Sequence, residues 1–200
     1  MFKMRGIDTV RSTRNVRGKS NIGLVILIAL VISIAFGFIF DFTVTQIEYA
    51  IYPQPKEYAA YVQKYSEKFG VPEEIVWAVI KTESGFDPSA VSSVGAVGLM
   101  QLTEPTFKEI SSQRLKEGLE PGMRYDPETN IRYGTYYLSY LHARYKSWDA
   151  ALAAYNGGLG NVDDWMGDDG KLTLDEIPFG ETRNYVKKVN HAKSKYEDLY

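Results

Sequence analysis

The chain has 200 residues, a net charge of −2 and no cysteine. That length suits one compact domain with an appendage, and the missing cysteines exclude a disulfide framework. The charge is uneven: residues 1–21 hold six cations against Asp8, a net of +5, so the remainder carries −7, a sign that makes no electrostatic case for nucleic acid as a partner.

After this basic segment, Ile22 to Phe40 reads IGLVILIALVISIAFGFIF without one charge. As a helix it would span roughly 28 Å at about 1.5 Å per residue, close to the ~30 Å hydrocarbon core of a bilayer. A cleaved signal peptide would have a shorter apolar core and small residues at its end. Here the run closes on Phe-Ile-Phe-Asp-Phe, so an uncleaved single-pass anchor is expected. The basic segment then stays in the cytoplasm and everything after the anchor faces outward. Residues 41–56, with Pro53 and Pro55, read as a stalk, and residues 57–200 as the functional domain.

From Glu57 the pattern is helical. Tyr58, Tyr61, Val62, Tyr65 and Phe69 form one stripe, which Gly70 ends. Pro72-Glu73-Glu74 starts a second helix, with carboxylates at the positive end of its dipole. Its buried face is Ile75, Val76, Val79 and Ile80, and Glu83 falls in its last turn. Ser92 to Leu102 is the one stretch with hairpin character, with Gly95 and Gly98 as turn residues. Asp126 caps a long helix from Pro127 to about Tyr145, whose inner face is Ile131, Gly134, Leu138 and Leu141. Ser147 or Asp149 opens a short helix stopped by Gly157-Gly158, and Gly180 to about Tyr196 is the last helix. The expected class is mainly α, with at most a small β-hairpin, preceded by one N-terminal transmembrane helix.

The chemistry concentrates in KTESGFDPSAVSSVGAVGLMQL, residues 81–102. A carboxylate at the buried end of an apolar helix loses solvation, which disfavours its charged form and raises its pKa. That is the requirement for a carboxylic acid that donates a proton near neutral pH. The glycines let backbone approach a ligand closely. Gln101 and Asn156 offer amides, and Tyr155 and Tyr185 offer flat faces edged by a hydroxyl, all groups suited to sugars. Met100 and Tyr185 can also pack in a core while lining the cleft, and Ser84 can merely cap the turn. Asp87 is the tempting second carboxylate, but Phe86-Asp87-Pro88-Ser89 reads as a turn.

Four separated motifs also stand in a familiar order: Glu83-Ser84-Gly85-Phe86, Gly95-Ala96-Val97-Gly98-Leu99-Met100-Gln101, Ala154-Tyr155-Asn156-Gly157-Gly158 and Glu181-Thr182-Arg183-Asn184-Tyr185-Val186. Over about Tyr52 to Tyr196 the chain resembles the soluble lytic transglycosylase catalytic domain, a relative of goose-type lysozyme. The resemblance implies a lysozyme-like α fold and peptidoglycan glycan strands as partner, cut between N-acetylmuramic acid and N-acetylglucosamine. It implies that Glu83 is the sole catalytic acid and base. Ser84, Met100, Gln101, Tyr155, Asn156 and Tyr185 would then bind substrate around it. It further implies a 1,6-anhydro product formed without water. The alternatives are a lysozyme-type hydrolase on the same fold and a non-catalytic glycan-binding scaffold.

No cofactor is expected. Asp168 to Glu176 resembles a calcium loop, but aligning Gly170 with the loop's glycine puts Trp165 and Gly167 at ligand positions that neither can fill. His142 and His191 have no partner at metal-ligand spacing.

Overall fold

The computed structural model describes residues 21–167 and 170–200. It divides the chain into two compact units, the first ending at Thr45 and the second comprising Gln46–Tyr200. Helix α1, Ile22–Ile51, buries none of its side chains in protein and is long and apolar enough to cross a membrane. Residues 41–56, expected as a stalk, are therefore helical as far as Ile51. The chain leaves the helix there because Pro53 and Pro55 follow within two turns.

The second unit is built from helices. Its elements are α2 (Lys56–Phe69), α3 (Glu73–Ser84), α4 (Glu104–Glu109), α5 (Pro127–Tyr145), α6 (Trp148–Gly157), α7 (Leu159–Trp165) and α8 (Gly180–Leu199). A π-helical turn, Ile110–Arg114, continues α4, and two 3₁₀ turns cover Pro121–Tyr125 and Leu174–Glu176. Several ends follow from single residues. Gly70 takes the left-handed conformation that closes α2, the Asp126 carboxylate accepts from Thr129 N–H to open α5, and the Ser147 hydroxyl accepts from Ala150 N–H to open α6.

Helix α3 lies at the centre. Ile75 through Ile80 are all buried, including Trp77 and Ala78, which the one-sided reading of this helix left out. The reason is tertiary: α8 packs along one side of α3, α2 along another, and α6 joins α8. A helix enclosed this way needs no polar face in its middle. The long helix α5 contributes Ile131, Leu138 and Leu141 to the same core. Leu102, Phe107, Ile110 and Tyr133 form a second, smaller cluster beneath α4.

The expected hairpin is reduced to isolated bridges, Val91 with Val97 and Val97 with Leu102, and among the described residues no strand forms. The loop is held from outside instead. Asn130 of α5 is buried, accepts from Met100 N–H at 2.7 Å and donates to the carbonyls of Val97 at 3.0 Å and Arg124 at 2.7 Å. The Arg124 guanidinium adds bonds to the carbonyls of Gly95 and Leu102. Gly98 has a φ of +79°, and a Cβ there would approach Asn130 Cγ to 2.8 Å, so this position excludes a side chain twice over.

The residues just after α1's apolar run dock onto the end of α8. Glu48 pairs with Lys195, the Tyr49 hydroxyl donates to Leu199 C=O at 2.8 Å, and the Tyr196 hydroxyl donates to Pro53 C=O at 3.0 Å. Tyr52 sets its ring edge-on to Tyr196 at 5.8 Å. Ile47 and Ile51 remain exposed. The acidic loop proposed and rejected as a calcium site includes 168 and 169, which lie outside the described residues. Among the described residues no cluster of three potential metal ligands occurs.

Gly134 of α5 faces Met100 so closely that a Cβ added there would sit 2.8 Å from Met100 Cβ, with the Met100 sulfur also in the way. Alanine would improve helix propensity by about 1 kcal/mol. The clash is with a side-chain root rather than a flexible tip, so overpacking should outweigh that gain. Gly134→Ala is expected to destabilise the full chain by about 1–3 kcal/mol in denaturant unfolding. A more stable variant would show that α5 and the loop do not meet as described.

Candidate active site

Helix α3 delivers Glu83 because Gly85, at φ +59°, ends the helix one residue after Ser84 and turns the chain away. Ser84 makes that turn rigid. Its hydroxyl reaches Ile80 C=O at 3.1 Å and Leu99 C=O at 2.8 Å and receives the Phe86 N–H at 3.2 Å. Ser84 thus ties the end of α3 to the loop that faces it.

Glu83 is half-buried at the wall of a cleft of about 400 Å³. The 90–103 loop lines it with Ser92, Ser93, Val94, Ala96, Gln101 and Thr103, α6 with Tyr155 and Asn156, and α8 with Glu181. The Tyr185 hydroxyl donates to Glu83 Oε1 at 2.7 Å. Burial raises the Glu83 pKa to about 7, and the Tyr185 hydrogen bond opposes that rise. Both tyrosines, Tyr155 and Tyr185, are pushed well above their ordinary value by burial and by the nearby Glu83 charge, so they stay neutral hydrogen-bond donors.

The expected site residues take different places. Glu83, Gln101, Tyr155 and Asn156 come together around the cleft, and Tyr185 touches the Glu83 carboxyl. Met100 does not line the cleft. Its side chain is fully buried against Gly134, and only its backbone serves the site, donating to Asn130 and accepting the Tyr155 hydroxyl at 2.7 Å. That bond fixes Tyr155 with its ring toward the cleft. Ser84 likewise acts through the backbone bonds it makes. Gln101 adopts φ +50°, a conformation that L residues avoid, and its amide nitrogen donates to Ala90 C=O and Gly98 C=O. Its carbonyl oxygen is left as an acceptor.

Asp87 is turned outward and bound by Ser89 N–H at 2.8 Å and Ser89 Oγ at 2.7 Å, a local turn rather than a partner for Glu83. The second carboxylate in the cleft is Glu181, the first residue of the fourth motif. Asn130 was missed as well. It stands in an ordinary helix opening, and only the distant loop reveals its use. Thr103-Glu104-Pro105, a cap followed by proline in the first turn, was a readable signal for α4.

The sign of the linkage at Glu83 gives a stability test. Its folded value, about 7, lies above its ordinary 4.5, so its contribution is fully present below about pH 4.5 and lost as pH rises through about 7. Glu83→Gln removes that loss. The variant is expected to match the parent near pH 4 and to exceed it near pH 8 by on the order of 2–3 kcal/mol in denaturant unfolding. Equal stability of the two at every pH would mean that Glu83 is not desolvated. In Tyr185→Phe, the carboxyl should titrate higher than in the parent, read by carbon NMR of labelled glutamate.

The family model described as "Transglycosylase SLT domain" matches residues 60–177. The soluble lytic murein transglycosylase of Escherichia coli (strain K12) is 36% identical over 142 residues, which is 68% of this chain and 22% of that protein. The membrane-bound lytic murein transglycosylase C of Serratia proteamaculans (strain 568) is 36% identical over 167 residues, 70% of this chain and 46% of that one. The X-ray structure of an inactive mutant of the lytic transglycosylase Slt from Pseudomonas aeruginosa aligns with a TM-score of 0.66 at 32% identity, covering 74% of this chain and 25% of that chain. The chain thus spans less than half the length of these relatives. With the model matching more than half of it, the chain belongs to the transglycosylase SLT domain family.

Proposed function

We propose that this protein is a peptidoglycan lytic transglycosylase, anchored in the cell membrane through residues 22–40 with its catalytic domain outside. The observation that carries the reading is Glu83, a half-buried carboxyl raised to about 7 at the wall of an open cleft and held by Tyr185. The family membership and the named relatives support the substrate class.

In this mechanism protonated Glu83 gives its proton to the glycosidic oxygen as the bond from C1 of N-acetylmuramic acid breaks. The substrate's own N-acetyl group stabilises the developing positive charge at C1. Glu83, now a carboxylate, takes the proton of the sugar's C6 hydroxyl, whose oxygen closes on C1. One proton leaves the acid and one returns, the glycosidic bond is exchanged for a 1,6-anhydro bond, and no water is consumed. Ordinary glycosidases place a second carboxylate across the scissile bond. Here Asp87 is engaged in its own turn, and Glu181 stands exposed at the cleft wall. Tyr185 has a clear part: its hydrogen bond favours the carboxylate that forms after the first proton transfer. Tyr155, Asn156 and the Gln101 carbonyl offer the sugar a ring face and polar contacts.

Glu83→Gln should reduce cleavage of purified peptidoglycan by at least about 10⁴-fold, because one group serves as both acid and base and loss of a general acid alone removes about 10²–10⁴. Near-normal turnover would overturn the assignment. For the parent enzyme, kcat/KM should fall as pH rises through about 7, where free Glu83 loses its proton. Mass spectrometry of the products should find anhydro ends; reducing ends would assign the lysozyme-type hydrolase instead. The intact chain should fractionate with membranes, with its catalytic domain open to external protease. Release of a chain beginning after about residue 40 would remove the anchor and leave the catalytic reading standing.

A further inference from the structure

Away from the glycan cleft, a second cavity of about 240 Å³ opens between α3 and α8, lined by Tyr52, Lys81, Thr82, Lys188, His191 and Ala192. It is chemically one-sided. Two lysines and a histidine reach it from two helices, and no carboxylate lines it. Among the described residues neither Lys81 nor Lys188 forms an ion pair. Lys195, farther along α8, is paired with Glu48.

Lys81 is the informative residue. It is half-buried, and burial lowers its pKa with no charged group acting to restore it. Its visible compensation is the Tyr52 ring, whose centroid lies 5.0 Å from Nζ. Tyr52 in turn packs edge-on to His191 at 6.3 Å. A partly desolvated ammonium facing an aromatic wall and two more basic groups is incomplete electrostatically, and an anion in the cavity would complete it.

The donor set selects the class of anion. Planar carboxylates are matched by the fork of an arginine, and no arginine lines this cavity. Lysines that line the cavity from two helices suit a tetrahedral oxyanion with several acceptor oxygens. The Thr82 hydroxyl already donates to Ala78 C=O at 2.7 Å, so the cations are the groups left to bind.

We propose that the Lys81–Lys188–His191 cavity binds a phosphate group, with Tyr52 as its wall. The phosphate is either free or the headgroup of an anionic lipid. The lipid source is reasonable because Tyr52 follows the apolar run by only a dozen residues. The proposal stands apart from the glycan-cleaving reaction and does not depend on it.

The test uses the full chain in nanodiscs of phosphatidylcholine, titrated by calorimetry with inorganic phosphate and, at matched ionic strength, with acetate. The parent and Lys81→Gln/Lys188→Gln are compared, with Lys188→Glu as a single exposed change in case the double variant folds poorly. In a second arm, hydrogen exchange at residues 52 and 188–192 is compared between phosphatidylcholine and phosphatidylglycerol discs. Saturable phosphate binding that weakens about tenfold or more in either variant supports a free-phosphate site. Protection seen only with phosphatidylglycerol, and lost in the variants, assigns the lipid headgroup. Acetate binding as tightly as phosphate with the same lysine dependence overturns the phosphate assignment. Absence of lysine-dependent effects in both arms overturns the site.

Discussion

The burial of one carboxyl organises this domain. Glu83 lies in the last turn of a helix whose middle, Ile75 to Ile80, is wholly buried, where solvation is poor and the helix C-terminus is already negative. Both effects work against its charge. Burial raises its pKa, a rise moderated by a single hydroxyl from α8. The surrounding architecture keeps the carboxyl in that balance. Packing of α3 against α8 brings Tyr185 to it, and the Ser84 bonds stop the helix end from fraying and letting water in.

The opposite wall of the cleft obeys a different constraint. Residues 90–103 have almost no regular structure, yet many of their backbone groups are bonded. Asn130 and Arg124 stand in for the missing strand neighbours, reaching across from α5 and the turn before it. Two buried polar side chains holding a loop make a network whose members depend on one another. The left-handed Gln101 is tolerated in this setting because the frame around it determines its conformation.

Much of this was readable beforehand, and the reasons differ by element. The helices ending at Gly70 and starting at Asp126 and Ser147 carry their caps in adjacent residues, so local reading placed them well. Glu83 was readable because an acid at a helix end needs an explanation. Met100 was misplaced because a motif shows order along the chain, whereas direction of a side chain depends on Gly134, far away in sequence. Asn130 and the full burial of α3 were illegible for the same reason: both exist only once α5 and α8 have docked. The stalk became helix because nothing from Asp41 to Ile51 breaks a helix, a point that the two later prolines obscured.

The loop's bonding pattern separates its frame from its face. Asn130 and Arg124 grip backbone carbonyls and an N–H, and Ser92 closes the tip through its own bonds to Ala96. Ser93 and Val94 take no part in that bonding, although both face the cleft and Val94 is 79% exposed. The wall therefore exists before any ligand arrives, and little ordering entropy is lost when one binds. It also means that the identity of those two side chains is unconstrained by folding. Across descendants of this chain, positions 93 and 94 can change the cleft's surface while the frame behind them stays unchanged.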